Sequence, residues 1–359
     1  MQFNPLNTWL KNATPAPVLI SGPCGAESRQ QVMQTARELF EHGIISLFRA
    51  GVWKPRTRPG SFEGKGEEAL LWLQDVKSEF GFQTTVEVAT AHHVELALKY
   101  GVDVLWIGAR STSNPFSVQE IADALHGTDV PVMVKNPVQA DLQLWIGGIE
   151  RVYNSGIRRI AAIHRGFHFY GKGLYRNDPL WQIPIELRTQ FPELPLFCDP
   201  SHICGNRQLI PSVAQKAMDL GFDGLMIESH CNPNKALSDK DQQLKPADTA
   251  GIMAALILRE QVRGSDERIN RLAELRKIID QIDEDLLQCL QRRSKVIEQI
   301  GYYKKEHNIS IFQLERWQEM LRTRAEWAER FNLSVAHVEK LCQLLHEESI
   351  RLQNSLMNK

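Results

Sequence analysis

No apolar run in this sequence approaches the roughly 18 residues that a membrane-spanning helix needs, so a helical span is excluded. Net charge is nearly absent. With 42 Lys and Arg against 43 Asp and Glu, the chain carries −1 at pH 7 and lacks the broad positive field of a nucleic-acid binder. Cysteine is scarce. Its six copies (Cys24, Cys198, Cys204, Cys231, Cys289 and Cys342) are irregularly spaced, with neither a disulfide framework nor a CxxC zinc motif. They read as reduced cytoplasmic thiols. The first ten residues lack a basic segment ahead of a long apolar core, so no secretory signal is expected. Proline ends at Pro246, and beyond residue 250 glycine occurs only at Gly251, Gly264 and Gly301. These residues punctuate loops, so the front is rich in turns and the tail is nearly unbroken helix. The expected division is a first domain over 1–258, a linker over 259–265 and a helical domain over 266–359.

What is present in the front is alternation. Short apolar, β-branched runs recur at Val18–Ser21, Ile45–Arg49, Thr84–Val88, Val104–Ile107, Pro131–Lys135, Arg159–His164, Leu196–Asp199 and Gly224–Glu228. Segments with helical spacing separate most of them, among them Gln30–His42, Glu67–Phe80, Val94–Tyr100 and Val118–Leu125. Eight strands with helical crossovers predict an α/β fold, a (β/α)8 TIM barrel, with an open doubly wound sheet as the rival. Active sites of such barrels sit at the C-terminal strand ends. Those ends carry Cys24, Arg49 with Lys54, Glu87, Arg110, Lys135, Arg165, Asp199 with His202, and Glu228. The five cations suit a small substrate with several phosphate or carboxylate groups. Cys24, His202, Glu228 and Asp239 are candidate metal ligands: a carboxylate ending an apolar strand needs a partner, and a mixed S/N/O set suits a divalent transition metal of open identity.

The runs Ser21-Gly22-Pro23-Cys24-Gly25-Ala26-Glu27-Ser28 and Arg49-Ala50-Gly51-Val52-Trp53-Lys54-Pro55-Arg56-Thr57 resemble 3-deoxy-D-arabino-heptulosonate 7-phosphate (DAHP) synthase of the type I, β-like branch. So do Ile107-Gly108-Ala109-Arg110, Asp199-Pro200-Ser201-His202, Met226-Ile227-Glu228 and Asn232-Pro233-Asn234-Lys235-Ala236-Leu237-Ser238-Asp239. The resemblance implies a TIM barrel that condenses phosphoenolpyruvate with erythrose 4-phosphate. It implies Cys24, His202, Glu228 and Asp239 as ligands of Mn²⁺, or of Co²⁺, Fe²⁺ or Zn²⁺. It implies Arg49, Lys54, Arg110, Lys135 and Arg165 around phosphoenolpyruvate, and Lys54, Pro55, Arg56, Thr57 and Ser111 toward the sugar phosphate. Glu87 joins the substrate-facing set, and Lys54 and then His202 are the candidates for handling the proton. The sequence departs from the family at Arg58, at His164, where Glu is frequent, and at Val86. A related enzyme using another sugar, octulosonate 8-phosphate synthase, typically has Asn where this chain has Arg56-Thr57.

In the tail, one helix is expected from Asp266 to about Glu306, with an apolar stripe at Ile279, Ile282, Leu286, Leu290, Ile297 and Ile300 forming one buried face. The stepping puts Arg293 and Lys304 on the same face, where cations are costly unless an anion meets them. Further helices are expected near Gln313–Phe331 and Ser334–Ser355, and helices this long need partners. The run Leu275-Arg276-Lys277-Ile278-Ile279-Asp280-Gln281-Ile282-Asp283, with Arg293, Lys304, Arg316, Ser349 and Gln353 at their separations, resembles the all-helical chorismate mutase. That implies rearrangement of chorismate to prephenate in an intertwined homodimer. Arg276 would reach the partner's site, and Arg293, Lys304, Arg316, Ser349 and Gln353 would line the local one. Gln313 stands where an acidic residue is common, and Trp317 where Glu or Gln would meet the substrate hydroxyl. These two positions keep open a non-catalytic tail that dimerises and senses a metabolite. Either way the tail is expected to carry feedback inhibition by prephenate.

Overall fold

The structure of the chain, a computed structural model, describes residues 1–11, 17–54, 60–171, 173–259 and 267–358, with side chains from Arg271 onward in the last segment. Residues 1–259 and 260–359 form two compact units.

The first unit holds eight strands: β1 (Val18–Gly22), β2 (Leu47–Arg49), β3 (Thr84–Val88), β4 (Val104–Ile107), β5 (Val132–Lys135), β6 (Ile160–His164), β7 (Leu196–Cys198) and β8 (Gly224–Glu228). All neighbours pair in parallel, and β8 returns to β1, with Ile20 opposite Met226, so the sheet closes into a barrel. Helices cover it: α1 (Arg29–His42), α2 (Glu67–Phe80), α3 (Ala91–Lys99), α4 (Ala109–Thr112), α5 (Pro115–Leu125), α6 (Leu142–Asn154), α7 (Gln182–Gln190), α8 (Pro200–Cys204), α9 (Ile210–Asp219) and α10 (Pro246–Ala255). Several expected bounds shift by one residue, and the helix expected to start at Val118 starts at Pro115. Two further ranges shift by more than one residue. The second strand starts at Leu47 instead of Ile45, and the third helix runs Ala91–Lys99 instead of Val94–Tyr100, because Thr90 caps it by accepting the His93 N–H at 3.2 Å.

Strand side chains alternate between two cores. Ile20, Leu47, Trp106, Met133, Ile163, Phe197 and Met226 fill the barrel, while Leu19, Phe48, Val86, Val134 and Leu225 pack outward under the helices. Two residues past five of these seven interior positions the alternation brings in polar groups, with Arg49 after Leu47, Lys135 after Met133, Arg165 after Ile163, Asp199 after Phe197 and Glu228 after Met226. His164 takes the outward phase and sits in an aromatic box of Trp145, Phe167, Trp181 and Phe222, with ring centroids 5.3–6.4 Å away. Burial lowers its pKa to about 3, so it is a neutral packing residue.

Among its described residues the second unit has three helices, α11 (Glu267–Glu306), α12 (Leu314–Arg330) and α13 (Val335–Met357), with α13 packed on both others. At 40 residues, α11 is about 60 Å long. The stripe expected to be buried is open within one chain, with Ile279 and Leu286 each 57% exposed and every residue from 271 to 292 exposed. The cause is length. The packed contacts of α11 begin near Arg293 and run to its C-terminal end, where a Cβ on Gly301 would lie 3.4 Å from Gln353 Cγ.

Candidate active sites

At the C-terminal mouth of the barrel the interior layer ends on Trp106. Arg49 lies over its ring at 5.1 Å and Lys135 at 5.9 Å. Both cations are committed to buried carboxylates. Arg49 Nη2 stands 3.2 Å from Glu228 Oε1, and Lys135 Nζ donates to Asp199 Oδ2 at 2.6 Å. Asp199 also caps α8, accepting the His202 N–H at 3.0 Å through Oδ1, and its Oδ2 lies 2.8 Å from His202 Nδ1. One carboxylate thereby fixes both the lysine and the imidazole.

Above this layer lies a cavity of about 480 Å³ whose lining includes Glu87, Arg110, Lys135, Arg165, Arg176 and His202. Four of these six are cationic, and burial among them pushes Arg165 down to about 10. Asn177 ties the wall together: it accepts from Arg165 Nη1 at 2.8 Å and donates to the His202 carbonyl at 2.6 Å. Gly108 leaves room for Glu87, since a Cβ there would lie 1.9 Å from Glu87 Oε1 and displace that side chain. Ser111 is buried on α4, two residues beyond Ala109 of the lining.

Beside the cavity, Cys24 Sγ lies 3.3 Å from Asp239 Oδ2 and 3.0 Å from Lys54 Nζ, while His202 Nε2 lies 3.8 Å from Glu228 Oε1. Gly51 permits this approach, because a Cβ there would stand 2.5 Å from Lys54 Cε. Burial opposes ionisation of Glu228, but His202 and Arg49 outweigh it and lower its pKa; Asp239, held also by Arg176 at 2.8 Å, is lowered as well. Burial and then Glu228 push the Cys24 thiol up to about 12, and burial keeps His202 below its ordinary value. Among the described residues no three His, Cys, Asp or Glu side chains close into a ready coordination shell. The four donors form two adjacent pairs. Glu228 Oε1 is buried without a hydrogen bond, and the Lys54 ammonium already stands against the sulfur. Thiol, imidazole and two carboxylates around a place that attracts positive charge fit a divalent transition metal.

The family model described as DAHP synthetase I family matches residues 11–260. The chain belongs to that family. It is 32% identical over 226 residues to phospho-2-dehydro-3-deoxyheptonate aldolase of Thermotoga maritima, covering 63% of this chain and 64% of the relative's length. A crystal structure of that Thermotoga enzyme superposes with a TM-score of 0.60 at 30% identity, over 66% of this chain and 67% of that one. A 2-dehydro-3-deoxyphosphooctonate aldolase of Helicobacter pylori is 29% identical over 264 residues, 65% of this chain and 91% of the relative. The chain thus spans just under two thirds of the Thermotoga relative. Within this DAHP synthetase I barrel the structure brings together Cys24, Arg49, Lys54, Glu87, Arg110, Lys135, Arg165, His202, Glu228 and Asp239 at one mouth. Pro55, Arg56 and Thr57 lie outside the described residues. Sequence reading missed Trp106, Arg176 and Asn177. It also missed Gln242, which links Arg176 to Glu228 Oε2 (2.8 and 2.7 Å), and Gln243, which accepts the Cys24 N–H at 2.9 Å.

The family model Chorismate mutase type II matches residues 275–354. In this unit Lys304, Ser349 and Gln353 are buried, with 9%, 4% and 6% exposure, at the α11–α13 contact. Lys304 Nζ donates to the Ile311 carbonyl at 2.6 Å, and burial lowers its pKa. Burial and then Arg324 do the same to Arg293. Gln313 lines a cavity of about 440 Å³ next to Lys304. Two predicted residues stand apart within one chain. Arg316 is exposed and paired with Glu319 at 2.5 Å, and Arg276 lies on the open half of α11. Trp317 stacks on His346 at 4.2 Å, a partner that sequence reading did not single out.

Proposed function

We propose that the barrel condenses phosphoenolpyruvate with erythrose 4-phosphate to give DAHP, and that the tail rearranges chorismate to prephenate. For the barrel, the carrying observation is the cavity whose lining holds Arg110, Lys135, Arg165 and Arg176, joined to the Cys24–Asp239 and His202–Glu228 pairs. The cations hold two phosphorylated substrates against their mutual repulsion and aim phosphoenolpyruvate C3 at the aldehyde. Cys24, His202, Glu228 and Asp239 would hold the metal, Mn²⁺ before Co²⁺, Fe²⁺ or Zn²⁺, which when bound supplies a Lewis acid for the aldehyde oxygen. Lys54 and then His202 would handle the proton, and Pro55, Arg56, Thr57 and Ser111 would bind the sugar phosphate. The test is phosphate release from phosphoenolpyruvate with four- and five-carbon sugar phosphates. Turnover confined to the five-carbon aldehyde would overturn the reading in favour of the octulosonate reaction.

In the tail, Arg293 with Arg276 of a second copy clamps the two carboxylates of chorismate, Lys304 meets the ether oxygen, and Ser349 and Gln353 complete the wall. Gln313 and Arg316 join when substrate and partner are present. No nucleophile is needed, since holding the compact conformer and its developing charge suffices. The open stripe of α11 supports a homodimer or larger assembly, and six free cysteines support the cytoplasm. The domains divide at the 259–265 linker. Prephenate bound to the tail inhibits condensation, with a coupling of roughly 5–150-fold in affinity. Equal inhibition of the full chain and of the chain cut after Arg259 would move the control site to the barrel.

A further inference from the structure

Among the polar rings of the helical unit that none of these roles uses, His346 stands on the face that carries the proposed site residues. Cys342, His346, Ser349 and Gln353 follow each other at steps of four, three and four, so they share one face of α13. Cys342, Ser349 and Gln353 on that face are buried. The His346 ring stacks on Trp317 of α12 with centroids 4.2 Å apart and planes within 22°, and Phe312 approaches it at 6.0 Å. These contacts fix the imidazole plane. Its Nε2 is buried and, among the described residues, meets no hydrogen-bond partner. Leaving a polar nitrogen in that state costs stability, and a ligand that pairs with it recovers the cost. Burial, then Arg293 and Lys304, lower the His346 pKa, so the ring is neutral at pH 7 and offers one donor and one acceptor nitrogen.

Chorismate presents two carboxylates, an ether oxygen and one ring hydroxyl. The cations match the first three. The hydroxyl is uncharged, both donor and acceptor, and it matches a neutral imidazole. We propose that His346 is a substrate-binding residue of the mutase site, that its Nε2 pairs with the ring hydroxyl of chorismate, and that Trp317 is the positioning residue that sets its ring. The inference rests on the mutase reading of the tail.

The test uses the full chain. His346→Phe keeps a flat ring on Trp317 and removes both nitrogens. The expected result is a chorismate KM raised about tenfold, with 4-deoxychorismate, used as a competitor, binding within twofold of its parental constant. His346→Gln, which restores a donor and an acceptor, recovers part of the chorismate loss. His346→Leu repeats the comparison should the phenylalanine variant lose helix content by circular dichroism. An unchanged chorismate KM, or equal weakening of both ligands, overturns the proposal. Lys304→Ala separates the two levels of the argument: parental turnover in that variant would refute the mutase site itself, whereas heavy loss there with an unchanged His346→Phe refutes only the role of His346.

Discussion

On the proposed function the barrel and the tail meet the same problem, holding anionic substrates with cations, in opposite ways. In the barrel one chain is enough: Arg49 and Lys135 are locked to Glu228 and Asp199 on a Trp106 floor, and Arg110, Arg165 and Arg176 stand above them around the cavity. In the tail Lys304 is buried and Arg293 half-buried on the packed half of α11, while Arg276 sits 17 positions earlier on a half with no cover of its own. A closed sheet can present every strand end to one mouth, so a barrel site forms when the chain folds. A long helix can present residues to two separate sites, and in the proposed dimer the tail site is complete only after association.

Three experiments press on this difference, from the largest effect down. Exhaustive chelation is expected to abolish condensation, with Mn²⁺ restoring it, and to leave chorismate turnover intact. Cys24→Ala or His202→Ala is expected to lose bound metal, by elemental analysis, together with condensation. Full condensation in metal-free protein would remove the ion from the account. Next, Arg293→Ala or Lys304→Ala is expected to lower chorismate turnover by about a hundredfold or more, as for loss of a group that stabilises transition-state charge, with condensation unchanged. Unfolded variants whose folded fraction keeps parental activity would make these residues structural.

The last of the three concerns acid stability of the barrel. His164 has its folded pKa lowered from 6.5 to about 3, so between these values the unfolded chain binds a proton that the folded chain refuses. Stability therefore falls as pH drops from 6.5 toward 3, by about 1.4 kcal/mol per unit for one such proton. His164→Phe, isosteric with its aromatic box, is expected to flatten that part of the Tm profile. An unchanged slope would mean that other groups carry it.

Much of the barrel was readable because strand alternation and strand-end position are local properties. Counting two residues on from Leu47, Met133 and Met226 reaches Arg49, Lys135 and Glu228 without knowledge of the fold's closure. The network that holds them was not readable. Asn177, Arg176, Gln242 and Gln243 arrive on loops, where no period says which way a side chain points. Trp106 looked like one more apolar strand residue, and only the closed sheet makes it the floor under two cations. In the tail, periodicity located the α11 stripe but not its cover, since burial depends on what packs against a helix. His346 did leave a signal, lying four residues after Cys342 and three before Ser349 on the face of Gln353.

The most direct measurement is specific activity of both reactions on one sample of the full chain, diluted through the range where its mass falls to that of the monomer. A barrel site built within one chain and a tail site shared between two predict that chorismate turnover per chain declines with dissociation while condensation per chain holds. Leu286→Glu, which places a charge on the open stripe, is expected to give the same pattern without dilution. Chorismate turnover that persists undiminished in the monomer would contradict the account.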